Sequence, residues 1–366
     1  MISVPWQSTH LDRRPASILE VVHDSLGLYV TPPVSHLELA ARVPEYRPTD
    51  LESLLAERRL IGLRCLRGSA FLMPVDLLPV VVPATRDRNI KAFAGHLQKS
   101  LVTDTYETWA GRIEEMFDPD EQLTKSEIDA RLDPAEVDRP FMTNVVSQMA
   151  TEGRLIGIRI SASWRSARIA YVRWNDWLPG VDVESPDRDE ARVELARLYL
   201  RAFGPASITD FAWWSGLTKT QSRLAIDESG AHAVGDLYDL DSGGTDPPPG
   251  VRLLPIWDTL LVTWKDRSRF IPEVLFPFVY DASGNATSVV LVDGRVAGVW
   301  SMASDDDRLE VRAAPFNRFS SIQWSGIEEE ATVVANVAGL ASVHLVRCDD
   351  PPNLREGRWN LFMRPV

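Results

Sequence analysis

The side chains with the most chemical potential in this sequence are cations placed on one short stretch. Arg159, Arg165, Arg168 and Arg173 lie close together with Trp164 among them, and guanidinium groups beside an indole suit phosphate oxygens and the face of a sugar or base. Lys219, Gln221 and Arg223 form a second set, on a helix that follows Thr218, where charged and amide side chains can reach base edges. The competing reading of the first set is a solvated hairpin whose arginines only keep the chain in solution. Covalent and metal chemistry find less support. Cys65 and Cys348 make no CxxC pair, and His10, His23, His36, His96, His232 and His344 are scattered without ligand spacing, so no metal, disulfide framework or cofactor is expected.

A repeat supplies the frame for these cations. Arg59-Leu-Ile-Gly-Leu-Arg64 returns as Arg154-Leu-Ile-Gly-Ile-Arg159, each copy after a helical pattern and before a hairpin. Leu51, Leu54 and Leu55 fall at helical spacing before the first copy, and Phe141, Val145 and Met149 before the second, with Glu57 and Glu152 in equivalent places. Helix, helix, strand, turn, strand is the order of a winged helix. Two are therefore predicted, over residues 1–95 and over residues 96–180, the second with the longer and more basic wing. Ser35-His-Leu-Glu38, Thr49-Asp-Leu-Glu52 and Thr124-Lys-Ser-Glu127 all have capping-box form and mark helix starts.

A third unit is predicted over residues 188–242. Ser207-Ile-Thr-Asp210 and Thr218-Lys-Thr-Gln221 cap successive helices, which puts the 219–226 helix in the recognition position. The Trp213-Trp214 pair falls on the supporting helix and is read as core packing. Asp241 to Gly250, with its Gly-Gly and Pro-Pro-Pro runs, is the clearest linker. Beyond it, over residues 250–366, strands are predicted at 252–257, 260–264, 288–292, 295–300 and 308–312. A helix opened by Ser325-Gly-Ile-Glu328 and a final strand at 342–346 complete the chain. The fold class is α+β: three tandem winged-helix modules followed by a small antiparallel β-barrel with a C-terminal helix.

With 366 residues, 45% of them hydrophobic, the chain can bury several cores of that size. Its formal charge of −13 argues against indiscriminate affinity for nucleic acid, because neutralisation of phosphates supplies most non-specific binding. Much of the acid sits in apparent turns and linkers, at 118–121, 182–190 and 305–307, so positive charge can still gather on one surface. The negative balance also permits a protein-interaction role without DNA. The sequence shows no secretory leader pattern and no apolar run of membrane-spanning length, so a cytoplasmic location without a membrane partner is expected.

Several longer segments occur in a telling order. They are Asp50-Leu-Glu-Ser-Leu-Leu-Ala-Glu-Arg-Arg-Leu60 with Leu66-Arg-Gly-Ser-Ala-Phe-Leu-Met73, then Ala202-Phe-Gly-Pro-Ala-Ser-Ile-Thr-Asp-Phe-Ala-Trp-Trp-Ser-Gly216, then Leu253-Leu-Pro-Ile-Trp-Asp-Thr-Leu-Leu-Val-Thr-Trp-Lys-Asp-Arg-Ser268. Val290-Leu-Val-Asp-Gly-Arg-Val-Ala-Gly-Val-Trp300, Pro315-Phe316 and Glu328-Glu-Glu330 follow. In this order they resemble one family, the tandem winged-helix proteins that include the bacterial YcaQ and AlkZ types of alkyl-DNA glycosylase. The resemblance covers nearly the whole chain. It implies winged helices and a barrel around a DNA-binding concavity, double-stranded DNA, alkylated or damaged, as the partner, and hydrolysis of the N-glycosidic bond of alkylated purines. It also puts Asp258 and the Lys265-Asp266-Arg267 run at family positions where a local ion-pair network or a phosphate contact is expected, so Arg67, Lys265 and Arg267 are candidates for DNA contact.

The resemblance implies a catalytic Gln-x-Gln or Gln-x-Asp motif after a Leu-Gly-Leu helix end, where polar groups position water against the oxocarbenium-like sugar. Here Leu26-Gly-Leu28 is followed by Tyr29-Val-Thr31, and the alternative alignment gives Leu28 and Val30. Neither restores a glutamine or a carboxylate. The family's Arg-Gly-Thr-x-His pattern is altered too, since Arg67-Gly-Ser-Ala precedes Phe71. The resemblance therefore implies a DNA binder whose glycosylase site is lost or rebuilt. The alternative is an active glycosylase with Tyr29 and Thr31 holding the water and His36 as base. Read as residues alone, Thr31 beside Pro32-Pro33 suits a turn, Tyr29 suits half-buried packing, and His36 sits inside a capping box.

Overall fold

The computed structural model describes residues 4–12, 16–97, 106–132, 139–160, 168–240, 246–305 and 307–356. The two copies of the repeat pair with each other. Strands β1 (Leu28–Tyr29), β2 (Leu60–Arg64), β3 (Ala70–Pro74), β4 (Leu123–Thr124), β5 (Leu155–Arg159) and β6 (Ile169–Arg173) form one six-stranded antiparallel sheet in the order β1-β3-β2-β5-β6-β4. At its centre Gly62 of β2 lies opposite Gly157 of β5. Both glycines sit under close neighbours: a Cβ on Gly62 would stand 2.9 Å from Val30 Cγ2, and one on Gly157 would stand 3.1 Å from Ile169 Cγ2. The sheet thus joins strands from both sides of residue 95.

Helices flank this sheet where the apolar spacing placed them. Pro48–Ala56 precedes β2 and buries Leu51, and Arg139–Glu152 precedes β5 and buries Met142, Val145, Val146 and Met149. Thr124 caps Lys125–Ala130 by the expected box with Glu127. The boxes expected at Ser35 and Thr49 do not form: the helices Val34–Ala40 and Pro48–Ala56 start two residues earlier than those caps would allow, behind Pro33 and at Pro48, without a side-chain cap. Proline fixes φ for a first helical turn and lacks the N–H that a cap would satisfy. Next along the chain come Arg188–Phe203, Ile208–Ser215 and Lys219–Glu228, then a hairpin of β7 (His232–Val234) and β8 (Leu237–Asp239). Ser207 with Asp210 and Thr218 with Gln221 form the capping boxes read from the sequence.

The C-terminal part corrects three expectations: the barrel, the start of its long helix and one strand. Strands β9 (Val251–Leu254), β10 (Val289–Val292), β11 (Arg295–Asp305), β12 (Arg308–Pro315) and β13 (Ser342–Arg347) form an open sheet in the order β13-β12-β11-β10-β9, not a closed barrel. The helix Ser321–Ala338, capped by Ser320 and Gln323 and not at Ser325, returns the chain so that β13 lies parallel to β12. Strands β9 and β13 are the two edges and do not pair with each other, so the sheet is open. The third correction concerns residues 260–264, where a strand is expected from the sequence. Asp258 accepts a hydrogen bond from the Leu260 N–H and caps a short helix, Thr259–Val262. The three consecutive apolar residues Leu260, Leu261 and Val262 carry no period that separates a strand from a buried helical turn.

Candidate nucleic-acid interface

Trp213 and Trp214 leave their helix in different directions. Trp214 is 3% exposed within the core. Trp213, expected in the core as well, is partly exposed and belongs to none of the four apolar clusters. Cations surround its ring: Lys265 Nζ lies 4.6 Å from the ring centroid, Arg67 Cζ 5.0 Å and Arg267 Cζ 5.7 Å. Arg267 also sits 3.7 Å over the ring of Tyr280. Arg88 stands near enough to Arg67 that, after burial, the neighbouring charge lowers its pKa. The Trp213 indole N–H is buried without an acceptor among the described residues. Donors and positive charge therefore meet here.

The distribution of ion pairs sets this cluster apart. Arg42, Arg131, Arg154, Arg159, Arg173 and Arg192 each lie within salt-bridge distance of a carboxylate. Arg67, Arg88, Lys265 and Arg267 make no such pair among the described residues. In an acidic chain, four neighbouring cations without carboxylate partners mark a place complementary to an anion.

One helix assembles most of the cluster. On Ile208–Ser215, Asp210 and Trp213 are three residues apart and share a face. The Asp210 carboxylate accepts the backbone N–H groups of Lys265 and Asp266 at 2.8 and 3.0 Å, and Arg269 Nη2 lies 3.5 Å away. This holds the 265–267 loop while Trp213 takes its two cations. Arg67 arrives from the turn between β2 and β3 with φ at 51°. The Ile208–Ser215 helix ends at Gly216, φ 81°, where a Cβ would stand 2.9 Å from Arg67 Cα. The spacing Asp210-x-x-Trp213 was a signal available in the sequence, but its partner loop lies 55 residues on.

The expected catalytic trio is dispersed. Tyr29 is partly buried, its ring 4.6 Å from Phe71 and 6.0 Å from Trp257, and its hydroxyl accepts from Arg67 Nη2 at 2.9 Å. It therefore joins the cation cluster. Thr31 is exposed instead at the edge of a cleft of about 890 Å³ over the Gly62 and Gly157 pair, lined also by Leu55, Ile158, Ile169 and Tyr171. His36 is 0% exposed. Arg159 Nη1 can only donate to His36 Nε2, at 3.1 Å, so the ring proton sits on Nδ1 and is donated to the Tyr46 hydroxyl at 2.6 Å. Burial first, and then the Arg159 charge, lower the His36 pKa to about 4. A buried imidazole held neutral at both nitrogens is a packing element, not a base facing solvent.

The cations expected on the second hairpin meet different surroundings. Arg159 has a side chain only 5% exposed, with Nη1 3.0 Å from Glu52 and Nη2 3.3 Å from the Val30 carbonyl. It ties the second hairpin to the first unit and does not face outward. Arg173 pairs with Asp176 at 2.6 Å. Arg168 is exposed, and Arg165 and Trp164 lie outside the described residues. On Lys219–Glu228, Lys219 and Arg223 are exposed, whereas Gln221 accepts from the Thr218 N–H and hydroxyl as a cap.

The core also holds a buried charge network. Arg42 donates from both Nη atoms to Asp258 at 2.8 Å each and from Nε to the Thr9 carbonyl at 3.0 Å. Glu38 Oε1 accepts from the Thr259 N–H at 2.8 Å, and Oε2 has no partner among the described residues. Burial, and then the Asp258 charge, push the Glu38 carboxyl up to about 7. An acid that holds its proton more tightly in the folded chain than in the unfolded one loses stability as pH rises from 4.5 through about 7. Glu38→Gln removes that loss. In urea unfolding, the stability of Glu38→Gln relative to the parent should rise by roughly 1 to 3 kcal/mol between about pH 5 and pH 8. A difference that stays constant over that range would contradict a neutral buried acid.

Comparison with known proteins places this geometry. The family model described as DNA glycosylase AlkZ-like matches residues 23–337. An interstrand DNA cross-link repair glycosylase of Streptomyces sahachiroi is 30% identical over 173 residues, which are 43% of this chain and 45% of that protein. The aligned stretch thus spans under half the length of that relative. Among solved structures, the Streptomyces sahachiroi DNA glycosylase AlkZ superposes with a TM-score of 0.76 at 21% identity, covering 94% of this chain and 98% of that one. Among the described residues no helix is long and apolar enough to cross a membrane. With most of its length matched by one family model and its fold shared along nearly the whole chain, this protein belongs to the AlkZ-like DNA glycosylase family.

Proposed function

We propose that this chain is a duplex-DNA-binding member of the family that no longer hydrolyses the N-glycosidic bond. The observation that carries the reading is the Trp213 cluster, in which Arg67, Lys265 and Arg267 surround one ring without carboxylate partners. Phosphodiester oxygens are the anions such a surface matches in a protein of this family. The three helical units with their hairpins act as winged helices presenting this surface, with Lys219 and Arg223 on the third. Loss of hydrolysis follows from charge. The sugar becomes cationic in the transition state, which requires nearby amide or carboxylate oxygens. Tyr29 instead engages a guanidinium at the position matching the family motif, and Thr31 stands over a different cleft.

Fluorescence anisotropy with a labelled duplex tests the binding. Affinity should fall steeply with salt, and Lys265→Ala with Arg267→Ala should weaken binding and reduce the slope of log K against log salt by about 2. Equal slopes for parent and double variant would remove these residues from the interface, and no binding at low salt would remove DNA. Incubation with duplex carrying N7-methylguanine tests the chemistry. Release of free base above the protein-free rate would overturn the loss of hydrolysis and favour a rebuilt site at Tyr29.

A further inference from the structure

Trp257 occupies a position that a tryptophan fits poorly. It lies in the turn Pro255 to Asp258, closed by the Asp258 N–H on the Pro255 carbonyl at 3.3 Å, with φ at 55°. Glycine or asparagine is the ordinary occupant of such a left-handed turn position, and a bulky residue there is an outlier. Packing does not account for it. The ring is partly exposed and belongs to none of the four apolar clusters. The next residue is held rigidly by the two Arg42 hydrogen bonds to Asp258, so the turn is fixed from below.

The surroundings suggest what the ring is for. Its centroid is 6.0 Å from that of Tyr29, whose hydroxyl meets Arg67, and Arg67 reaches over Trp213. An aromatic surface beside cations without carboxylate partners is the combination that holds an unstacked base and its phosphates. A separation of 6.0 Å with planes tilted by 34° is too close for a base to enter between Tyr29 and Trp257, so a base would stack on the part of Trp257 that stays exposed. We propose that Trp257 is the stacking surface for one unpaired nucleobase of bound DNA. This rests on the proposed DNA binding through the Trp213 cluster.

The test compares a fully paired duplex with one carrying a single bulged adenine, by anisotropy on the full chain at one salt concentration. The parent should prefer the bulged duplex by about tenfold. Trp257→Gly, which suits the left-handed turn, should keep its thermal midpoint and its affinity for paired duplex while losing the preference. Trp257→Phe, which keeps a ring on the same backbone, should retain most of it. Equal affinity of the parent for both duplexes, or a preference that survives Trp257→Gly, overturns this proposal and leaves DNA binding standing. A Trp257→Gly chain that loses its midpoint, together with a Trp257→Phe chain that shows no preference, assigns the ring to structure and overturns it too. Binding of the parent to neither duplex removes the DNA-binding reading and this one together.

Discussion

Asp258→Ala is expected to lower stability by about 3 to 5 kcal/mol, the usual cost of removing one partner from a buried ion pair. Arg42 and Asp258 are 1% and 0% exposed and joined through both carboxylate oxygens. Without Asp258 the guanidinium keeps the Thr9 and Glu38 carbonyls as acceptors, but its nearest remaining carboxylate is Glu38 at 3.8 Å. Burial is the larger cause that holds the Glu38 proton and the Asp258 charge the second, so removing Asp258 should let Glu38 ionise more readily and compensate in part at high pH. The loss, read from urea midpoints, should accordingly be larger at about pH 5 than at pH 8. A loss under about 1 kcal/mol at both pH values would mean that the pair does not hold the N-terminal residues to the 255–259 turn.

Gly216→Ala carries the second large effect, and Gly230→Ala is its control. Both glycines have left-handed φ, 81° and 83°, and each follows a helix. A side chain at either costs about 1 to 2 kcal/mol of backbone strain. At Gly230 nothing lies within 4 Å of the added Cβ, whereas at Gly216 it would meet Arg67 Cα at 2.9 Å, Arg88 Nε at 3.0 Å and Arg67 N at 3.1 Å. Displacing backbone adds about 1 to 3 kcal/mol. Gly216→Ala should therefore destabilise by roughly 2 to 5 kcal/mol and Gly230→Ala by the strain alone. Because the displaced backbone belongs to Arg67, duplex affinity should fall in the first variant and not in the second. Equal effects on stability and binding would show that the Gly216 contact does not position Arg67.

Much of the local structure was legible because its causes are local. The boxes at Thr124, Ser207 and Thr218 form as written, since a cap and its partner three residues on meet whatever the rest of the chain does. The boxes at Ser35 and Thr49 failed against prolines that start the same helices sooner. Arg159 looked like a wing cation because sequence reveals charge and not its partner, and Glu52 and His36 lie far away along the chain. Trp213 was assigned to the core on helix position, which could not separate it from its buried neighbour Trp214.

The sequence by itself determined the duplicated strand, the helices before each copy, the α+β class and the family, because these depend on periodicity, caps and residue order. Tertiary structure decided what those elements do to one another. It paired the two copies through Gly62 and Gly157, placed β13 parallel beside β12 in an open sheet, and paired Arg159 with Glu52 within the protein. It also drew Arg67, Lys265 and Arg267 from separate segments onto Trp213. The physical reason is that a side chain's charge is local, whereas its burial and its partners depend on residues that approach only when the whole chain has packed.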